Sequence, residues 1–347
     1  GGELNAFTTR EGTTFYAKIL DEHLRNGVDL LTDLFLHSTL DRREIEKEKL
    51  VVQEEIKMVA DDPEDYVHDL HAFAVWRGNP LARSILGTRR TIAAMNRKDI
   101  RRYLENHYLP ENVVISVAGR FEFSELYDLL NQTIGQLRRD GKRVGRIVPG
   151  LRAGVFAEKR KSEQVHLCIG TLGLSQKDES RYALYVVNAL LGSSMSSRLF
   201  QEIREKRGLV YSIYTYLSSF EDTGLFNFYA ATGPKMAQQV VELILREIRR
   251  IKKNGIHAKE LSRAKNQLKG NLLLSLESTS SRMSRLARDE IYLGKYYSPE
   301  DIRDRIEAVT MEQVQNLAQE LFQTRYLSLA LLGPVKRKDF GEDMLWC

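Results

Sequence analysis

Cysteine is almost absent: Cys168 and Cys347 are the two in 347 residues. They build neither a disulfide framework nor a C-x-x-C zinc knuckle, which excludes a disulfide-stapled fold and fits a reducing compartment. No apolar run approaches the length of a bilayer span, and no charged-then-apolar leader opens the chain, so no membrane role is expected. A large charge of one sign is missing too. Lys+Arg 52 stand against Asp+Glu 47, spread along the chain, which argues against a dedicated nucleic-acid binder. The serine-rich "LLGSSMSSRLF" lacks the G-x-S-x-G elbow of a serine hydrolase, and Ser196 or Ser197 reads as a cap for the helix that follows. The expected compartment is the cytoplasm, with the periplasm as the alternative.

What is present is an internal repeat in a chain too long for one core. "TTFYAKILDEHLRNGVDLLTDLFLH" has the strand, turn and amphipathic-helix pattern of "LFNFYAATGPKMAQQVVELILREIR", with Phe15-Tyr16-Ala17 falling on Phe228-Tyr229-Ala230. "NVVISVAGRF" at 112–121 matches "YLSLALLGPV" at 326–335 at nearly the same offset and places Gly119 on Gly333. Residues 1–137 therefore read as a first repeat and 151–347 as a second, joined by the basic, Gly-containing linker 138–150. Each repeat groups its strands apart from its helices, ending in a closing strand. The expected fold is α+β: two homologous halves, each a mainly antiparallel sheet covered on one face by helices. Residues 151–214 have no counterpart in the first half, which is expected to be truncated at its front.

The most informative stretch is "EKEKLVVQEEIKM", residues 46–58. Glu48 and Glu55 stand almost two helical turns apart and share one face, with roughly 20° of drift between them. A solvated face is the bland reading; half of a metal or proton-transfer site is the sharper one. The repeat favours the second. On the equivalent helix "HAKELSRAKNQLKGNL", Glu48 falls on Ala264 and Glu55 on Asn271, so a shared scaffold differs at this pair. "HDLH" brings His68 and His71 close in sequence, and their spacing without a partner glutamate reads as a helix-surface pair. Cys168 in "VHLCIG" reads as a core strand residue.

Several stretches in order resemble the M16 metallopeptidases, the family of pitrilysin, insulin-degrading enzyme and the mitochondrial processing peptidase. They are "GGELNAFTTREGTTFYAKIL", "EKEKLVVQEEIKM" followed by "DDPED", "ENVVISVAG", and "SSRLFQEIREKRGLVYSIYTYLSSFEDTGLF". The resemblance implies a zinc endopeptidase whose metal is held by an H-x-x-E-H helix and a distant glutamate. Glu55 matches that distant ligand, and Glu48 a second acid that supports the site. Arg204 and Tyr211 match a pair that binds substrate backbone and stabilises an oxyanion, suitable roles for a cation and a phenol. Asn5, Ala6 and Phe7 match the edge strand to which a peptide substrate adds.

None of the seven histidines forms an H-x-x-E-H. The motif is expected in a front segment that the chain does not include. The chain as it stands is therefore expected to bind no stoichiometric zinc and to be inactive, its parent being the peptidase. The resemblance further implies unfolded peptides as substrates and a homodimer or heterodimer with another M16-type subunit. A non-catalytic partner subunit is the rival reading, and a chaperone-like peptide-binding chamber is a third.

Overall fold

The computed structural model describes residues 1–137 and 145–347. Part of the span read as a linker, 138–144, lies outside the described residues. The chain opens with a hairpin, β1 (Glu3–Thr8) and β2 (Thr13–Lys18), followed by α1 (Leu24–Leu36), α2 (Arg42–Asp61) and α3 (Pro63–Val75). Three shorter helices follow: α4 (Arg89–Ala94), α5 (Arg97–His107) and α6 (Phe123–Gln132). Then come β3 (Gly154–Lys159), β4 (Val165–Leu172), α7 (Arg181–Leu191), β5 (Val210–Ser219) and β6 (Gly224–Thr232). Helices α8 (Ala237–Asn254), α9 (Ala258–Ser275), α10 (Thr279–Leu293), α11 (Pro299–Ala308) and α12 (Met311–Leu321) lead to the closing strand β7 (Ser328–Gly333).

Local chemistry explains the boundaries. Asp62 caps α3 by accepting the Glu64 and Asp65 amides, with Pro63 in the first turn, where its missing N–H costs nothing. Ser298 with Asp301 and Thr310 with Gln313 form reciprocal capping boxes on α11 and α12. Gly255 closes α8 at φ 65°, a conformation that glycine adopts without a Cβ penalty.

The described residues form two compact units that interleave along the chain. The first is Gly1–Met58, Ser84–Arg146 and Leu276–Ile291; the second is Val59–Arg83, Ile147–Ser275 and Tyr292–Cys347. Residues 59–83, read from the sequence as part of the first repeat, thus fold with the second unit.

The second unit is built on a five-stranded sheet of order β3-β7-β4-β6-β5, antiparallel except for the β3–β7 pair. Strands β6 and β7 are buried along their whole length. A central strand buried on both sides is an apolar run without alternation, and "GLFNFYAAT" is one. The sheet is accordingly covered on both faces, not on one as the sequence suggested. On one side Leu167, Ile169, Phe228 and Leu329 pack with α7, α8 and α12 in the main core. On the other, α3 lies against β4 and β7, and Val67 joins Cys168, Tyr229, Ala330 and Leu332 in a second cluster. Trp76, just beyond α3, is 1% exposed and anchors a third cluster with Leu81 and Leu225. This burial is the physical reason that residues 59–83 belong to the second unit.

The first unit contains the β1–β2 hairpin, paired in register from Glu3↔Lys18 to Thr8↔Thr13. The expected closing strand at 112–121 is not a strand: 113–118 run without ladder pairing. Its equivalent, β7, lies between β3 and β4, and both of those come from 151–214, the stretch with no first-half counterpart. With no neighbouring strands among the described residues to supply backbone partners, a strand-like sequence stays outside a sheet.

Candidate functional site

Glu48 and Glu55 lie on α2, a helix with no buried residue. Its other glutamates are ion-paired at i,i+3: Glu44 with Lys47 at 2.6 Å, Glu46 with Lys49 at 2.8 Å, and Glu54 with Lys57. Glu48 and Glu55 have no lysine three or four residues on, and neither takes a hydrogen bond or ion pair among the described residues. The helix therefore presents two exposed, unneutralised carboxylates on one face, flanked by exposed Val51 and Met58. Such a pair is free to ligate a cation or accept a proton.

In the same unit, the edge strand β1 has all six residues exposed and pairs with β2 alone. Ala6 donates its amide to the Asn5 side chain at 2.8 Å, so any strand that takes this amide competes with the Asn5 carboxamide. Phe7, 47% exposed, rests against Tyr16 with ring centroids 6.3 Å apart.

Arg204 and Tyr211 belong to the second unit, each on a backbone irregularity. Phe200–Glu205 is a π-helical turn in which the Lys206 amide reaches Gln201. Arg204 lies in it with its guanidinium 4.8 Å from the Phe200 ring centre. The Gly208 and Leu209 amides return to Arg204 and Ile203, and Gly208 turns the chain at φ 61° into β5. Tyr211 is the extra residue of a bulge at the start of β5, where the register with β6 shifts between Val210 and Ser212, and it is 75% exposed. π-turns and bulges both re-aim side chains and recur at functional sites. The turn packs on β5, so this unit presents a guanidinium and a phenol from adjoining elements.

The His68 and His71 pair is not on the surface. His71 is 1% exposed, and Gly170 on β4 leaves room for its ring: a Cβ there would lie 2.2 Å from His71 Cε1. His71 Nε2 lies 2.9 Å from Ser328 Oγ, which donates onward to the Gly170 carbonyl, so the imidazole is the donor. Burial depresses its pKa to about 3. His68 Nδ1 lies 2.6 Å from the Tyr216 hydroxyl and 3.2 Å from Cys168 Sγ, while Nε2 lies 3.1 Å from the Tyr214 hydroxyl. Tyr214 in turn donates to Glu64 at 2.9 Å. Burial lowers the pKa of His68 and raises those of Cys168 and Tyr214, with Glu64 adding to the shift at Tyr214. Cys168 is fully buried on β4, as its apolar neighbours suggest. Sequence reasoning missed this network, whose signals are the 214 and 216 tyrosines on one face of β5, the i,i+3 histidines and the lone strand glycine. Ser197 precedes the helix as expected, yet its buried hydroxyl finds no partner, so it is not a side-chain cap.

No group of three or more His, Cys, Asp and Glu side chains among the described residues could hold a metal ion. A catalytic zinc takes three protein ligands. The residues present, at most a carboxylate pair, do not complete such a site.

The chain matches known proteins along nearly its whole length. The family described as insulinase (peptidase family M16) matches residues 1–89, and the peptidase M16 inactive domain matches residues 94–268. The uncharacterized zinc protease YmxG of Bacillus subtilis is 45% identical over 334 residues, 96% of this chain and 81% of that protein. An uncharacterized zinc protease of Streptomyces coelicolor is 37% identical over 349 residues, covering 97% of this chain and 75% of its own. Among solved structures, a protease from Helicobacter pylori superposes with a TM-score of 0.87 at 21% identity, over 96% of this chain and 82% of that one. A peptidase M16 inactive domain from Pseudomonas fluorescens gives 0.88 at 20% identity, over 96% and 82%. These two share the α+β fold with its mainly antiparallel sheet. The chain belongs to peptidase family M16.

Proposed function

We propose that the protein serves a zinc-dependent endopeptidase acting on unfolded peptides, with Glu55 as a metal ligand and Glu48 supporting the ligand shell. The observation that carries this reading is the selective pairing on α2. Every other glutamate of the helix is neutralised by a lysine, and these two are left open. The names of the relatives, zinc proteases, point the same way. The reading requires an H-x-x-E-H from sequence outside these 347 residues. In it, Arg204 and Tyr211 donate to the substrate carbonyl as charge develops there, and the edge of β1 around Asn5, Ala6 and Phe7 takes the peptide as an added strand. Association with a second M16-type subunit belongs to the same proposal, and light scattering on an eluting size-exclusion peak tests it; a monomer at all concentrations counts against it.

The deciding experiment compares two substitutions in a form of the protein that carries the H-x-x-E-H. Glu55→Gln should abolish peptidase activity and reduce bound zinc, because an amide is a weak, uncharged ligand. Tyr211→Phe should leave zinc bound and lower turnover by about 10²-fold, the usual cost of one oxyanion donor. If Glu55→Gln leaves zinc content and rate intact, the reading fails and a non-catalytic partner subunit takes its place.

A further inference from the structure

The hydrogen bonds of the buried network on α3 are satisfied by a neutral His68 that carries its proton on Nε2. Tyr214 gives its hydroxyl proton to Glu64, so it accepts from His68 Nε2–H. His68 Nδ1 is then a bare acceptor, facing the Tyr216 hydroxyl at 2.6 Å and the Cys168 thiol at 3.2 Å, both of which can donate. A proton on Nδ1 would force the Tyr216 hydroxyl to turn from donor to acceptor and leave the Cys168 thiol without its acceptor. The ring is also enclosed, with Tyr216 at 5.0 Å and Tyr229 at 5.2 Å between centroids. The other titratable groups around it are Glu64, Asp65, Asp69 and His71 on α3 and His166 on β4, the last bonded to the Tyr229 hydroxyl at 2.9 Å. Tyr66 on α3 bonds Glu158 of β3 and lies under Arg160. The acids favour a proton on His68; burial opposes it and dominates.

The position of α3 in the chain gives this geometry a consequence. One residue, Asp62, separates α3 from α2 and caps α3. Whatever holds α3 on the sheet therefore also holds 59–61, the last turn of α2, which belongs to the same unit. The strand that grips His68 through Tyr214 and Tyr216 is β5, the strand that begins with the Tyr211 bulge.

We propose that neutral His68 is a positioning residue: it locks α3, and with it the end of the carboxylate helix, onto β5 and β4, and its protonation on Nδ1 releases that lock. The link to catalysis rests on the reading of Glu55 given above; the lock itself does not.

Hydrogen–deuterium exchange on the 347-residue chain, expressed as protection factors so that intrinsic exchange is divided out, tests the lock. The comparison is made in a His71→Asn background, because His71 on the same helix is also buried and neutral. Between about pH 7.5 and 5.5, protection over 63–75 should fall by up to about ten-fold, the ceiling for one group of ordinary pKa 6.5, and by more than protection in α8, which packs on the opposite face of the same sheet. His68→Gln, which cannot gain the proton, should lose this extra fall, and His166→Gln should keep it. Tyr216→Phe removes a hydroxyl that donates to Nδ1, brings the folded-state pKa of His68 closer to the ordinary value, and should make the fall smaller. Equal loss of protection in α3 and α8, an undiminished fall in His68→Gln, or an undiminished fall in Tyr216→Phe would each overturn the proposal. In the zinc-complete enzyme, Tyr216→Phe should raise the acid limb of the kcat profile while leaving the alkaline plateau unchanged. Peptidase activity that is absent at every pH would instead count against the proposed function, and the exchange result would stand.

Discussion

Two segments of similar sequence meet different fates in the two units. "NVVISVAG" in the first unit and "YLSLALLG" in the second align at one offset and end on glycines with nearly the same backbone angle, φ 145° at Gly119 and φ 148° at Gly333. Yet β7 is buried along its length between β3 and β4, while Val114 and Ile115 are 38% and 46% exposed and no ladder forms. The contrast extends to the whole of each unit. The second carries all three hydrophobic clusters; the first buries Val28, Leu109, Leu126 and Leu137 among its described apolar residues and exposes Phe7, Phe15, Leu30, Leu34 and Phe123. Strand propensity is a statement about neighbours: the same alternation becomes a strand where flanking strands supply backbone partners and helices supply a lid.

Paired substitutions can break this comparison. The largest difference is expected at Leu329 and its equivalent Ile115. Leu329→Ala empties a fully buried position and should cost about 2–5 kcal/mol in denaturant unfolding of the second unit, whereas Ile115→Ala, at a half-exposed position, should cost under about 1 kcal/mol. Equal costs would mean that 113–118 is packed in solution as tightly as β7.

The glycines sharpen the contrast, because backbone strain is shared and only the surroundings differ. At Gly333 a Cβ would meet the Gln164 carbonyl at 2.9 Å and Val165 Cα at 3.0 Å; at Gly119 it would meet nothing within 4 Å. Gly119→Ala should thus show the strain alone, about 1–3 kcal/mol. Gly333→Ala should exceed it by roughly 1–3 kcal/mol for the forced overlap with the β4 end. A common value for both would show that dihedral strain accounts for everything.

Acid should also act on the second unit more than on the first. The His71 pKa of about 3 lies below the ordinary 6.5, so the native state binds fewer protons than the unfolded chain. The associated stability is fully present above pH 6.5 and is lost as pH falls from there toward about 3, at about 1.4 kcal/mol per pH unit at most. His68 and His166, also lowered, act in the same direction. Chemical denaturation of His71→Asn at several pH values checks this: the variant should be less stable at neutral pH, and its stability should depend less on pH between 6 and 4.

How far the sequence could be read follows the same logic of local against distant partners. The α+β class and the helical placement of Glu48 and Glu55 rest on periodicity within short windows, and they were legible. The cover on the second face of the sheet was not, because it depends on α3 packing against β4, about 100 residues away, and β7, about 260 away. The unbroken run in β6 was its only local trace. For the same reason His68 and His71 read as surface residues: an i,i+3 histidine pair looks alike on a wet face and against a sheet, and Gly170 acquires meaning only when His71 occupies the space above it. Arg204 and Tyr211 were named by resemblance, while the π-turn and the bulge that present them leave no periodic signature.

The smallest expected effects bear most directly on the candidate site. An i,i+3 ion pair on an exposed helix is worth about 0.2–0.5 kcal/mol. Glu44→Gln and Glu54→Gln should each lose about that much, since each frees a paired lysine on α2. Glu48→Gln and Glu55→Gln each remove a carboxylate that has no partner among the described residues, from a helix that carries four other glutamates. Their removal relieves like-charge repulsion without breaking a contact, so both should be neutral or slightly stabilising. The measurement is the unfolding midpoint at low ionic strength, where surface pairs are least screened, repeated at high salt, where the four variants should converge. If Glu55→Gln instead destabilised the chain as much as Glu54→Gln does, Glu55 would be holding the helix together in solution. The distinction between paired and open carboxylates, on which the proposed metal role stands, would then be lost.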